Sequence, residues 1–519
     1  MHLEMWPWRW NVSTSLGIWR RLASVGGALN HHAQTILFRG SFSVTPCPSS
    51  TTSGRTRPFR SFSLPWPLCS WSPSAGLHGI RAPVDRAMTS GLFRSFVTLW
   101  LVALASVPLS LRWTVSSGGT VMAVPLESLV AACAVVLVVA WAFGRGPEFS
   151  LLLHPVSLAV FAGLAWTLVT TMISIDPLVS MKYALARTAY VVTFFVGGLL
   201  IMSRLRTRGV VAAGLAGFLP VVAWTVWRHA PTGFIHETSI EVGAPFYPNH
   251  LEYGATLAFW MLVLVGLAMA DRAKKGRIGG AVGILTLGFL PLLWAAHSRS
   301  AWLALIAGFA VIGLQRIGVG LRGVMIAGTL VLVAFFGLFA VYFTGEWPDT
   351  EAAAGEGVQA SGPFRDPSIN ERLNRWSCAV RMAKERPLVG FGPGTYEESY
   401  GLFQLHGEMT SHSSLRGDRG DAHSEFFSCL AEQGVVGLML VAVLFGVAVA
   451  SGLRAVDGCR DESQRWKALG WTSAVASLVV GNLFNAFFEV DRVAPLLWLA
   501  CAAVVVMERN CATTKPENR

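Results

Sequence analysis

The chain has 519 residues, of which 53% are hydrophobic and 14% charged, with a formal net charge of +11. A soluble domain averages about 25% charged residues, so a soluble globular fold is excluded, and repeated apolar runs of about 20 residues mark an integral membrane protein. The positive balance fits Arg and Lys retained on the cytoplasmic side of such a protein rather than a nucleic-acid partner.

Residues 1–90 are unlike the rest: their basic residues are all Arg, mixed with Trp, Ser and Pro. They contain no sustained apolar run and no signal peptide with a small-residue cleavage site. They are expected to be a disordered leader, or to lie upstream of a true start near Met88. Twelve apolar runs then follow, at 93–111, 121–143, 152–173, 186–203, 209–228, 250–270, 279–297, 300–316, 321–343, 434–453, 468–488 and 493–508. Basic connections at 203–208, 271–277, 316–322 and 454–467, with the tail after Met507, alternate with connections poor in positive charge. Counted this way, every basic connection falls on one side, as the positive-inside rule requires, and both termini are cytoplasmic. The expected fold is an all-α polytopic membrane protein of about twelve transmembrane helices with a large, partly helical periplasmic loop. The parts are a leader at 1–90, spans one to nine at 91–343, the loop at 344–425, the last three spans at 426–508 and a cytoplasmic tail at 509–519.

Within the loop, the acidic, Ala- and Gly-rich stretch 346–362 is expected to be mobile. Ser368–Glu385 reads as a helix opened by a capping box, in which Ser368 bonds the third amide and Glu371 reaches back. Leu373, Trp376 and Val380 share one face, and Pro387 stops the run. A second helix is expected to begin at Asp421, an N-cap residue type. The eight cysteines are scattered without a CxxC pair. Cys378 and Cys429 are close enough to the loop to pair, although two small buried thiols explain them more simply.

Ionisable groups near the outer ends of spans are costly and invite a functional explanation. Arg299 lies in the tight turn Ala296–Ala301, where the charge rule predicts no Arg; the alternative is a side chain snorkelling to the interface. Arg372 and Arg375 lie on the loop helix, with Arg372 in its first turn, where free amides and the dipole favour anions and guanidinium groups can grip a pyrophosphate in bidentate fashion. A solvated basic face paired with Glu371 is the competing account. His423, in Asp421-Ala-His-Ser-Glu425, is expected near a helix start and nearby arginines, surroundings that favour the neutral imidazole a general base requires; a merely structural histidine is the alternative. Asn249 and His250 open a span after Pro248, either as contacts to polar substrate or as caps. The glycines of Gly390-Phe-Gly392-Pro-Gly394 follow a helix rather than a strand, which rejects a nucleotide loop and leaves a bend that folds the loop back over the membrane.

In order, these residues resemble the O-antigen ligase and polymerase superfamily, which includes lipopolysaccharide O-antigen ligases, polysaccharide polymerases and protein O-oligosaccharyltransferases. The matching elements are Pro248-Asn249-His250, Ser298-Arg-Ser-Ala-Trp302, the Arg372 to Trp376 helix segment, Pro387 to Gly392, Ala422-His-Ser424 and Glu432-Gln-Gly434. The resemblance covers about residues 95–508. It implies a metal-independent transferase without cofactor, in the bacterial inner membrane, working at the periplasmic face. Its donor would be a glycan on undecaprenyl pyrophosphate. Its acceptor would be a lipid, a growing polysaccharide or a protein. By position Arg299 and Arg372 look like the pyrophosphate-binding arginines and His423 like the proposed base. An acidic pair at Asp349 and Glu351 is the nearest mimic of a metal site. The competing class, a polysaccharide transporter, commonly shows internal repeats and midplane charges, whereas here no repeat is evident and the charges cluster at one face.

Overall fold

The computed structural model describes residues 84–114, 121–344, 366–405, 408–410, 413 and 420–512, with backbone alone at 84–90, 114, 121 and 367. The leader is thus outside the described residues up to residue 83, as is all of 346–362 with Asp349 and Glu351.

Each of the twelve apolar runs forms a helix. In chain order these are α1 (Val84–Ser106), α2 (Leu126–Ala142), α3 (Pro155–Met172), α4 (Pro177–Arg204), α5 (Thr207–His229), α6 (His250–Ala273), α7 (Gly279–Ala295), α8 (Arg299–Arg316) and α9 (Leu321–Thr344). After α10 (Pro367–Glu385) come α11 (Glu425–Gly458), α12 (Glu462–Phe484) and α13 (Ala494–Ala512). Among the described residues, seven helices (α3, α4, α5, α6, α9, α11 and α13) are long and apolar enough to cross a membrane. Large apolar side chains such as Val135, Val138, Ile284, Leu287, Ile306, Leu330 and Val341 are more than half exposed. In water such a band would be an aggregation surface; hydrocarbon solvates it, and helices satisfy their backbone groups internally there.

The core of the bundle is α6, buried nearly all round, with α12 and α13. A Cβ at Gly266 would lie 2.7 Å from the Cα of Gly470, so α6 and α12 cross with their backbones touching, the packing small residues permit in membranes. Helix α4 carries a π turn at Val191–Val196, and within it the Thr193 carbonyl accepts the indole N–H of Trp100 at 2.7 Å.

The structure departs from the sequence expectation in three places. Residues 121–124 are not helical: they form β2 (Val121–Val124), paired antiparallel with β1 (Leu111–Thr114), Leu111 opposite Val124. Pro125 follows directly and disfavours the helical region for Val124, so α2 starts at Leu126, and a short hairpin precedes it in a mostly helical fold. Helix α12 stops at Phe484, and 485–493 is irregular because its polar groups are used across the bundle. There Arg492, fully buried, donates to the carbonyls of Phe246 (2.5 Å) and Ser110 (2.8 Å). The loop helices also start differently, as described below.

The contacts of these connections define one end of the bundle. Ile175 N–H donates to the Phe391 carbonyl (3.0 Å), Glu425 N–H to Asn485 (3.1 Å), and Arg299 pairs with Asp366. The described residues of 366–424 therefore pack on the same end as the turns after α1, α3, α5, α7 and α12. At the opposite end the basic connections are tied by Arg208–Asp271, Lys274–Asp461 (3.6 Å), Arg316–Glu462 (3.5 Å) and Arg454–Glu508 (2.5 Å).

Helix α10 lies on an aromatic seam. Trp376 stacks on Phe427 with centroids 5.1 Å apart and meets Phe335 and Phe339 of α9 edge-on at 5.3 and 5.8 Å. This is the face expected from Leu373, Trp376 and Val380; the first two are buried and Val380 packs beside them. Helix α11 is bent at Gly434 (φ 69°, ψ −170°). The bend frees carbonyls that the loop fills: Phe391 N–H donates to Ala431 (3.1 Å) and Gly392 N–H to Glu432 (2.8 Å), while Val435 N–H reaches Pro387 (2.8 Å). The Gly390–Gly394 stretch is thus a docking bend, with all three glycines at positive φ.

Candidate functional site

The site starts at the two helix N-termini that bring arginines together. Ser298 caps α8, its hydroxyl accepting from Ala301 N–H at 3.4 Å, which places Arg299 as the first helical residue. The expected capping box of α10 does not form. Asp366 is the cap instead, accepting the Ser368 N–H at 2.9 Å, and Glu371 turns away to Arg375, Thr410 and Ser413. Ser368 is thereby released for a different task. Its Oγ accepts from Arg299 at 3.0 Å and from Arg372 at 2.8 Å, while its carbonyl accepts from Arg372 at 3.0 Å. Two guanidinium groups from separate helices meet on one hydroxyl.

The electrostatics follow from that meeting. Arg299 also pairs with the Asp366 carboxylate, and this hydrogen bond holds the Asp366 carboxyl below its ordinary value. Burial and the like charge of Arg299 press Arg372 below the ordinary arginine value, with Asp421 and Asp366 opposing. Guanidinium still stays cationic in proteins. The Arg372 Nε is buried and makes no hydrogen bond, an uncommon state for a charged donor.

His423 sits in a turn rather than on a helix, next to Asp421, whose carboxylate lies within charge range of Arg372. The expected helix at Asp421 begins only at Glu425, because Asp421 closes a turn: its Oδ1 accepts the His423 N–H at 2.8 Å and lies 3.1 Å from the ring Nδ1. The turn holds His423 at φ 49°, in the left-handed region. Asp421 thus supplies a carboxylate next to the ring, in addition to the arginines and helix terminus expected from sequence.

Arg375 is placed differently from Arg372. It is 5% exposed, bonded through Nε to Glu371 at 2.6 Å, through Nη1 to the Asp421 carbonyl at 2.8 Å, and stacked 5.0 Å over Tyr400. Glu371, against the opposing effect of burial, is held below the ordinary carboxylate value by hydrogen bonds from Thr410 and Arg375. Arg375 and Glu371 form the scaffold behind Asp421. Of the two residues opening α6, Asn249 is committed to the cap, accepting from Glu252 N–H and donating to its carboxylate, each at 3.0 Å. His250 lies within charge range of Arg372, its ring 6.4 Å from that of His236 and its buried Nδ1 unbonded.

Several polar residues at this end were not singled out from sequence. Arg187 of α4 is buried and bonds Glu489, Glu425 (3.5 Å) and Thr167 (3.2 Å). A charge inside an apolar span is itself a signal that could have flagged Arg187. Asp366 had no such signal, and Ser368 and Asp421 were read only as helix caps, since their roles arise from contacts. Cys378 and Cys429 do not pair; burial pushes the Cys378 thiol up to about 12. Among the described residues the bonded pair is Cys459 with Cys511.

A comparison with curated proteins finds no match. Residues 281–442, from α7 into α11, match the family model described as O-antigen ligase. That span contains Arg299, Arg372, Arg375 and His423 and leaves out Asn249 and His250. The match spans about a third of the chain and supports membership of the O-antigen ligase superfamily.

Proposed function

We propose that the chain transfers a glycan from undecaprenyl pyrophosphate to an acceptor hydroxyl at the periplasmic face of the bacterial inner membrane. The observation that carries this reading is the convergence of Arg299 and Arg372 on Ser368, with the unbonded Arg372 Nε beside them. A pyrophosphate offers several acceptor oxygens to such forks, and the α10 N-terminus adds its dipole. The 345–424 segment is then periplasmic, and the basic end of the bundle cytoplasmic, as the positive-inside rule requires.

In this reaction the acceptor oxygen attacks the anomeric carbon and the bond from that carbon to the pyrophosphate oxygen breaks. The electron pair leaves with the pyrophosphate, whose growing charge Arg299 and Arg372 stabilise, an effect worth about 10²–10³-fold per donor group. His423 takes the acceptor proton, for about 10²–10⁴-fold. His250 contacts the glycan, while Asn249 serves α6 and Arg375 braces the turn that carries His423. The reading assigns charge stabilisation to arginines, not to a metal.

The test is transfer by the purified protein in liposomes supplied with a lipid-linked glycan. His423→Ala keeps donor binding and lowers transfer by about 10²–10⁴-fold, Arg372→Ala weakens donor binding, and EDTA leaves the wild-type rate unchanged. Transfer by His423→Ala at the wild-type rate overturns the base assignment, and a rate lost to EDTA and restored by Mg²⁺ overturns the metal-free reading.

A further inference from the structure

We propose that Asp421 is a positioning residue, fixing the ring and tautomer of His423 so that Nε2 is the nitrogen that receives the acceptor proton. The inference rests on the transferase reading above and concerns a residue that reading leaves without a role. One carboxylate oxygen of Asp421 faces both the backbone N–H (2.8 Å) and the ring Nδ1 (3.1 Å) of His423. An ionised carboxylate only accepts hydrogen bonds, so Nδ1 carries the proton of the neutral ring and Nε2 is the basic nitrogen. The same oxygen holds the backbone in the left-handed turn (φ 49°), so it sets where the ring stands as well as which nitrogen is free.

The turn is braced from behind. Arg375 donates to the Asp421 carbonyl at 2.8 Å and is itself held by Glu371 and Tyr400. A Cβ at Gly420 would collide with the Arg375 guanidinium, so the chain passes directly over it. Ala422, between Asp421 and His423, is fully buried. The ring has freedom only about its own side-chain torsions, and the Nδ1 contact removes that. Once the proton is taken, the carboxylate stabilises the imidazolium that forms, as an orienting carboxylate does beside a catalytic histidine.

Asp421 is exposed, so its variants are expected to fold. The test is steady-state transfer by the full-length protein in liposomes. Asp421→Ala lowers kcat by about 10–10³-fold, bounded by what a positioned base contributes, with the donor KM unchanged. Asp421→Asn recovers part of that loss, because its amide oxygen still accepts both N–H groups. In the His423→Ala background, Asp421→Ala has no further effect, the non-additivity expected of residues acting as a unit. A wild-type kcat for Asp421→Ala, a raised KM with kcat intact, or an equal loss in both backgrounds overturns the inference. If His423→Ala itself transfers at the wild-type rate, the transferase reading has failed instead.

Discussion

Replacing Gly434 with Ala tests how the loop is fastened to the membrane helices. Gly434 holds φ 69° and ψ −170°, a region open essentially to glycine alone, and an alanine there costs about 1–3 kcal/mol in backbone strain. Space adds to this: a Cβ would run into the Leu388 carbonyl and sit 2.6 Å from Val389 N. Both obstacles are backbone, so relief requires the Pro387–Gly392 stretch to lift. Lifting breaks the bonds to Ala431, Glu432 and Val435, each worth about 0.5–1.5 kcal/mol net. A loss of about 3 kcal/mol, near the lower end of that sum, shifts the docked state roughly 100-fold. The assay is limited proteolysis of the 345–424 segment in detergent, followed alongside thermal unfolding, with Gly446→Ala as control. Gly446 lies on the same helix with open space around it, so its alanine stays within about 1 kcal/mol of wild type. Cleavage and melting of Gly434→Ala indistinguishable from that control would refute the docking argument.

Arg187→Ala leaves Glu425 and Glu489 facing each other without their cation. Breaking a buried pair in this way costs about 3–5 kcal/mol; a melting temperature equal to wild type would show that the pair contributes nothing. Docking of the loop also depends on acidity through Glu371. Its folded carboxyl titrates below the ordinary value, so its stabilisation is complete above that ordinary value and is lost as pH falls through the lowered folded one. Loop proteolysis should therefore rise on acidification, and Glu371→Gln should flatten that dependence; an unchanged acid profile in Glu371→Gln would exclude the carboxylate as the cause.

The helices were legible because hydrocarbon imposes a length and an apolar composition that survive in one dimension. Arg299 and Arg372 were legible for a related reason: a cation near a span or helix N-terminus violates the expected pattern. Their meeting point was not, since Ser368 looked like a cap until Asp366 took that position. The histidine turn was missed because Asp421 has the residue type of a helix cap and of a turn alike, and only the chain path chooses between them. Arg492 bonds carbonyls from Phe246 and Ser110, and Arg187 bonds Glu489. Such pairings join residues hundreds of positions apart and leave no local trace.

Helix α9 is attached mainly by its C-terminal half, where Phe335, Phe336 and Phe339 meet Trp376 and Phe427. Along its apolar stretch only about a tenth of the residues are buried, so lipid is its principal neighbour. Conservative exchanges at Leu330, Val331 or Val333 should pass unnoticed by the protein, while bilayer thickness should not. A helix clamped at one end answers mismatch by tilting, and the tilt would be delivered straight into the tryptophan on which α10, and with it Arg372, is seated.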